Sequence, residues 1–425
     1  MRIGLVIEHF DPRRGGAEQW TGRLARWLLD QGHEVHIVCC DKAATVGRAS
    51  EVVAETAISG ATHGRGFVDG VAADDLPSQT ATPPSPILHR LGPARSRLAF
   101  AAAAETKLRG LSLDVVHDMG VGWFGDVLQS HDGSRLAQWD RKLLMLPPWL
   151  RPLKRRLIGV LPRYREFRKL AARQYGDPRR LVIAMSRRAA DDYERYHGVR
   201  PSQIRVIYHG VDAQRLSPAR SEEHRASMRS RLGFSNNDIV LLLMAHNFAL
   251  KGLATLIRAL GRLRRTGGAF QVAVVGHGRP ARFVRLARTC GVGSAVRFLG
   301  PADDPLPYYS MADVYVQPTF YDSFGLTVLE AAACGRPIVT TQAAGVSELL
   351  TDGQDGYVLD DPGDDAGLAA QLQTLADPTV RTSMGRAARR LAERHTFDDN
   401  CRQIAAVYDE ILERRPPLRA DQFST

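Results

Sequence analysis

Short apolar runs alternate with amphipathic stretches along nearly the whole chain. Residues 3–7 (IGLVI) are an uninterrupted apolar run, as in a strand covered on both faces. Residues 17–30 place Trp20, Leu24, Trp27 and Leu28 on one helical stripe. The pair Gly15 and Gly16 precedes that stripe, Gly32 ends it, and residues 34–39 (EVHIVC) read as the next strand. The chain therefore opens on a βαβ unit with a glycine loop after its first strand. Further strands are expected at 114–117 (DVVH), 181–185 (LVIAM) and 204–208, with helices ending near 109 and 196. From 60 to 93 the alternation fails; Pro77, Pro83, Pro84, Pro86 and Pro93 predict a loose excursion.

The pattern then restarts. Residues 239–245 (IVLLLMA), 270–275, 296–299, 313–317 (DVYVQ) and 337–341 read as strands. Helices are expected at 253–265, up to 289, and from about 325 to 334, with a terminal helix at 396–414 and a polar, proline-containing tail. Two successive βα arrays of similar size predict an α/β protein of two doubly wound, Rossmann-like domains facing a central cleft. The expected division is 1–210 and 211–395, with 396–425 as a helix and tail packing back on the first domain.

Composition narrows the class. The 425 residues are 44% apolar and 24% charged, ordinary for a globular protein and unlike a disordered chain. No apolar run reaches the ~18–20 residues of a membrane span. The start is too short for a secretory h-region and is interrupted by Glu8. Five cysteines with no CxxC pair predict free thiols in a reducing compartment, and so a cytoplasmic protein.

The formal charge of +11 is concentrated. Residues 141–175 hold eleven Lys or Arg against one acid, Glu166. Pro147, Pro148, Pro152 and Pro162 forbid one continuous helix there, and Pro162 is placed to start one running to about 175. Leu143, Leu144, Met145, Leu146, Trp149 and Leu150 lie beside the cations, a composition that suits an anionic bilayer interface. Trp149, Arg151, Lys154, Arg155 and Arg156 are the candidate contacts, each cation worth ~1 kcal/mol near such a surface. The competing reading packs the apolar residues under the sheet and leaves the cations solvated; a third assigns some of them to a phosphorylated acceptor. Nucleic acid is not expected, since no aromatic–basic binding motif is present.

Chemistry concentrates in residues 317–345, QPTFYDSFGLTVLEAAACGRPIVTTQAAG. A helix opening at Gly325 would point free amides and a positive dipole end at a phosphate. Glu330 would lie about one and a half turns along, able to accept hydrogen bonds from a ribose diol. Asp322 stands just before the helix, seven residues ahead of Glu330. Gly276-x-Gly278 has no third glycine in register and reads as a tight turn.

This constellation resembles the family 4 (GT4) retaining glycosyltransferases of the GT-B fold, whose signature is E-x7-E followed by small residues, a glycine, a proline and a strand. Here it stands as Asp322-x7-Glu330, then Gly335, Pro337 and Gly345-Val-Ser-Glu348, with Asp in the first acidic place. The likeness extends over Gly15-Gly16-Ala17-Glu18, Val182-Ile-Ala-Met-Ser186, Tyr208-His-Gly-Val-Asp212, Lys251-Gly252 and Val296-Arg-Phe-Leu-Gly300. It is strongest to enzymes of lipopolysaccharide core assembly such as the first core glucosyltransferase.

The resemblance implies roles. Glu330 would hold the ribose, Asp322 the donor sugar, and Lys251 with the amides of Gly325 and Leu326 the pyrophosphate. Gly15 and Gly16 would let the first domain approach the phosphate, and His117 would contact the sugar. The family's arginine five positions before the lysine is replaced by His246, with Arg187, Arg188 or Arg279 as substitutes. His131 and His246 are read as structural or secondary. The implied activity is metal-independent, cofactor-free transfer of a hexose from a nucleotide sugar such as a UDP-sugar. The implied acceptor is a lipid-linked glycan or polysaccharide, reached from the inner face of the cytoplasmic membrane. A nucleotide-sugar 2-epimerase and a carbohydrate-binding module without turnover are the alternatives.

Overall fold

The computed structural model describes residues 1–11, 16–40, 84–264 and 270–414. Two wholly parallel sheets organise them. The first holds β1 (Arg2–Val6), β2 (Glu34–Cys40), β3 (Ile87–Leu91), β4 (Val115–Asp118), β5 (Val127–Leu128), β6 (Leu181–Ala184) and β7 (Ile204–Val206), in the order β3-β2-β1-β4-β5-β6-β7. The second holds β8 (Ile239–Met244), β9 (Phe270–Val275), β10 (Val296–Gly300), β11 (Val314–Val316), β12 (Ile338–Thr341) and β13 (Gly356–Leu359), in the order β10-β9-β8-β11-β12-β13. In each sheet the order reverses beside its first strand, between β1 and β4 and between β8 and β11. Connections leave in opposite directions at such a point and open a crevice at the strand ends.

The apolar runs become the central strands for the reason the pattern suggests. β1, β4 and β6 are covered on both faces, so Ile3, Leu5, Val115, Leu181 and Ile183 are fully out of solvent. The excursion is where pattern reading falls short. Its residues 84–93 contain β3, an edge strand paired with β2 from His36↔Ile87 to Cys40↔Leu91. An edge strand needs little burial, and ILHRL between prolines carries little periodicity. The rest of the excursion, the glycine Gly15 and the tail beyond 414 lie outside the described residues. Cys39, Cys40, Cys334 and Cys401 are buried, and Cys290 is half-buried.

Several contacts tie the two units, three of them prominent. Helix Phe397–Arg414 crosses back to the first sheet, putting Cys401, Ile404, Val407 and Tyr408 into the core with Leu5, Trp20 and Leu24. The crossing requires glycine at 210, where an added Cβ would sit 1.9 Å from the Thr396 carbonyl oxygen. Nearer the cleft, the Ser323 hydroxyl donates to the His131 carbonyl at 2.6 Å, and the Ser186 hydroxyl to the Ser323 carbonyl at 2.9 Å. Elsewhere between the units, the Glu348 carboxylate accepts the N–H groups of Arg187 and Arg188 at 2.9 and 2.8 Å and the Tyr208 hydroxyl at 3.0 Å. These amides open helix Arg187–His197, whose next free N–H, that of Ala189, is taken by Ser186. A carboxylate from the second domain thus caps a helix of the first, where negative charge is favoured.

Glu348→Ala leaves two of those amides without their acceptor and should cost about 1 kcal/mol. Urea unfolding of the full chain checks this; a loss below about 0.3 kcal/mol would contradict the capping role.

Candidate active site

The loops leaving β8 and β11 build one wall of the cleft. Gly325 adopts φ +103, a left-handed conformation, and starts helix Leu326–Ala333 with no side-chain cap. A Cβ there would be strained in backbone and 3.1 Å from Val346. The N-terminus of this helix therefore has no side-chain acceptor among the described residues, and Gly325, Leu326 and Thr327 line the cleft. Half-buried Glu330 lies on the same wall and accepts the Tyr309 hydroxyl at 2.7 Å. Burial pushes its carboxyl above the ordinary carboxylate value, opposed by that hydroxyl and by Arg215 and Arg23.

Lys251 and Asp322 meet directly, Nζ against Oδ2, with about a fifth or less of either side chain exposed. Gly252 makes this possible. It turns with φ +76, and a Cβ would fall 1.9 Å from the Pro318 carbonyl oxygen. The lysine loop can therefore pack onto the β11 loop only through a residue without a side chain. Phe320 N–H then donates to Leu250 carbonyl at 2.8 Å and Thr319 Oγ1 to the same oxygen at 3.0 Å.

A buried amide that the sequence reading passed over holds the acid. Gln317 is fully buried and donates through Nε2 to Asp322 Oδ2 at 2.9 Å. Its Oε1 lies 2.8 Å from the Tyr315 hydroxyl and 3.1 Å from Thr327 Oγ1. The signal was present: a glutamine directly after a three-residue apolar strand cannot be buried without several partners.

The opposite wall comes from the first domain. Gly16, His131, Asp132 and Arg135 line the cleft, which holds two connected spaces of about 490 and 530 Å³. A Cβ at Gly16 would meet nothing within 4 Å, so packing does not demand glycine there. His117 is not part of this wall, against expectation. It is the third of four residues of β4, fully buried, with Nδ1 2.7 Å from the Tyr408 hydroxyl of the returning helix. Strand alternation turns it into the core, where burial lowers its pKa to about 3.

Among the histidines that do reach the cleft is His131, after β5. Its Nε2 has no hydrogen-bond partner among the described residues. Its ring stacks on that of His209 at 5.4 Å and meets Trp20 edge-on at 4.8 Å. Burial lowers the His131 pKa to about 4, and that of His209 well below the ordinary value, so both are neutral near pH 7.

The substitute cations proposed for the pyrophosphate are not there. Arg187 and Arg188 bind Glu348 through their backbone, Arg188 reaches the Gln342 carbonyl at 3.1 Å, and Arg279 is exposed outside the cleft lining. His246 does line it, stacked on His277 with ring centroids 5.7 Å apart.

The basic segment folds as helix Arg135–Leu144, a 3-10 turn at Pro148–Leu150, helix Arg151–Val160 and helix Pro162–Gln174. Leu153, Leu157 and Val160 recur at helical spacing, and all three are exposed, as are Leu144 and Trp149, the last at 76%. Ile158 and Leu143 are buried against Trp139 instead. The cations differ among themselves. Arg151 donates to the carbonyls of Leu146 and Leu144 at the end of the preceding helix, and Arg155 pairs with Asp140 at 3.3 Å. Arg156 is exposed and Lys154 half-exposed beside the apolar stripe.

Two family models match the chain: one described as Glycosyltransferase Family 4 over residues 14–215, the other as Glycosyl transferases group 1 over residues 238–377. A D-inositol 3-phosphate glycosyltransferase of Streptomyces bingchenggensis is 32% identical over 253 residues, 56% of this chain and 54% of that protein. The match thus spans about half the length of that relative. A D-inositol 3-phosphate glycosyltransferase 2 of Catenulispora acidiphila is 27% identical over 98% of this chain and 97% of its own. Among solved structures, WaaG, a glycosyltransferase involved in lipopolysaccharide biosynthesis, has a TM-score of 0.70 at 19% identity, covering 96% of this chain and 99% of that one. Anabaena HepE in complex with UDP-glucose has 0.67 at 20% identity, covering 96% and 100%. These structures share the GT-B arrangement of two doubly wound domains described above.

The neutral buried histidines give a stability signature. His117, His131 and His209 have folded pKa values below the ordinary 6.5. Between about 6.5 and 4 the unfolded chain therefore binds more protons, and stability falls as pH drops through that window. Each group contributes at most about 1.4 kcal/mol per pH unit. Urea midpoints at pH 7, 6 and 5 should fall steadily, and His131→Gln should flatten the decline. Constant stability from pH 7 to 5 would contradict the buried neutral state.

Proposed function

The chain belongs to glycosyltransferase family 4, and on that premise we propose that it is a retaining hexosyltransferase using a nucleoside diphosphate hexose, most directly a UDP-hexose. The observation that carries this reading is the Lys251–Asp322 pair set beside an uncapped helix N-terminus, with Glu330 farther along the same helix. A diphosphate arriving at the amides of Gly325 and Leu326 competes with Asp322 for Lys251. The ammonium turns to the phosphate, and the released carboxylate, still held by Gln317, faces the hydroxyls of the sugar. Glu330 accepts from the ribose diol. As the glycosidic bond breaks, negative charge grows on the phosphate and is stabilised by donors already in place. The acceptor hydroxyl attacks from the same face, its proton passing to the departing phosphate. Neutral His131 faces the sugar from the first domain. The complex of HepE with UDP-glucose supports a uridine donor by analogy of fold.

The acceptor is proposed to be a lipid-linked glycan, met on the cytoplasmic face of an anionic membrane. Among the described residues no helix is long and apolar enough to cross a bilayer. Support for surface attachment comes from the outward stripe of Leu153, Leu157 and Val160 with Trp149 and the adjacent cations, the reverse of a solvated helix face. A second reading, a phosphorylated polyol acceptor, draws on Arg97 and Arg135 in the first-domain part of the cleft and on what the curated relatives are named for.

Incubation with a panel of UDP-hexoses should show slow donor hydrolysis, and Glu330→Ala should weaken donor binding at least tenfold with the fold intact. Interconversion of the sugar at C2, or unchanged donor affinity in the variant, would overturn the transferase reading. Trp149→Ser with Leu153→Ser, both exposed, should reduce co-sedimentation with anionic vesicles several-fold at unchanged stability. Full retention of binding would remove this face as the anchor.

A further inference from the structure

The second domain carries a second concentration of positive charge, far along the chain from the basic segment. Helix Pro218–Leu232, the turn after helix Leu326–Ala333, and helix Pro378–Glu393 enclose a cleft of about 500 Å³. Its lining includes Arg225, Arg336, Arg381, Arg386, Arg389 and Arg390 but one acid, Asp313.

That acid is already engaged from three directions. Asp313 accepts Arg225 at 2.5 Å through Oδ1, and Arg229 and the Val240 N–H through Oδ2. Arg381 already donates to the carbonyls of Leu375 and Ala376, and Arg389 to those of Leu216 and Ala333 and to Glu393. Three arginines remain. Arg336 donates to the Ser221 hydroxyl at 2.7 Å, but its Nε is buried with no partner among the described residues. Its pKa is lowered by burial and then by the like charge of Arg225. Arg386 and Arg390, exposed and one turn apart, have no ionic or hydrogen-bond partner among the described residues. The N-terminus of their helix is already capped by Asp377, which accepts Thr379 N–H at 2.7 Å. The attraction for an anion therefore rests on the guanidinium groups.

A buried, unpaired guanidinium donor beside another cation is costly unless an anion completes it. Guanidinium forks match phosphate oxygens in geometry as well as charge. We propose that this cleft is a second anion site, separate from the donor cleft, that takes a small phosphate-bearing molecule on Arg336, Arg386 and Arg390. A small ligand fits better than a membrane or a protein partner. The site is concave and of ligand size. All the large exposed apolar side chains of the described residues, from Ile87 to Val206, lie in the first domain. The site is also joined to the donor wall, since Arg336 follows helix Leu326–Ala333, which carries Glu330, and leads into β12.

The test is calorimetric titration of the full chain with inorganic pyrophosphate, compared across wild type, Arg386→Ala/Arg390→Ala and Lys251→Gln. The expected result is that the double variant loses one binding event, or weakens it at least tenfold, while Lys251→Gln retains that event. Thermal unfolding without ligand should be unchanged by the double variant, because both side chains are exposed. Pyrophosphate binding identical in wild type and the double variant would overturn the proposal. So would a double variant that binds pyrophosphate normally but loses anionic vesicles, since the arginines would then serve a membrane. Failure of the donor-site reading shows separately, as unchanged binding in Lys251→Gln.

Discussion

A strand in a parallel sheet cannot be joined directly to its parallel neighbour; the chain must cross back over a face first. Every strand therefore ends at the same edge, and every loop that follows a strand collects there. Where strand order reverses, adjacent loops part and leave a crevice that no side chain is obliged to fill. This protein has two such points, and they face each other. The loops after β8 and β11 bring Lys251, Asp322 and Gly325 together, while helix Gly16–Asp30 after β1 and the segment after β5 bring Gly16 and His131 from the other side. The chemistry of the cleft follows from that edge, because it gathers residues seventy positions apart in sequence without requiring any of them in the core.

The cleft is kept ready by polar groups with more partners than a surface would give them. Gln317 binds the acid, the acid binds the lysine, and the lysine loop is pinned through Gly252 to the backbone after β11. Buried polar networks of this kind add rigidity when every member is satisfied. Capacity remains at the N-terminus of helix Leu326–Ala333, which has no side-chain cap and lines the cleft, and at the buried Nε2 of His131, which has no partner among the described residues. Beyond the other end of the same helix, Arg336 has capacity of the opposite kind, a donor without an acceptor among the described residues.

Much of this was legible in the sequence, and the gaps have physical causes. The doubly buried strands announce themselves because a parallel sheet covered on both faces is apolar at consecutive positions, as in IVLLLM of β8. The run from Asp322 to Glu330 was legible because a turn, a helix start and a helical spacing are local. Choosing His117 over His131 failed on parity: a strand residue faces one side or the other, and only neighbouring strands and the returning Tyr408 fix which. The Lys251–Asp322 pair joins two loops that sequence reading places separately. The stripe of Leu153, Leu157 and Val160 shows amphipathic spacing, but spacing alone does not say which face is covered. β3 was lost because an edge strand among prolines has little periodicity to display.

The central claim is that a nucleotide diphosphate breaks the Lys251–Asp322 pair at the N-terminus of helix Leu326–Ala333. A crystal structure of the full chain with an intact UDP-hexose tests it most directly. The predicted complex has a phosphate oxygen within hydrogen-bond distance of both Lys251 Nζ and the Leu326 amide, the ribose diol on Glu330, and Asp322 turned to the sugar. A diphosphate bound elsewhere, with Lys251 still on Asp322, would contradict it.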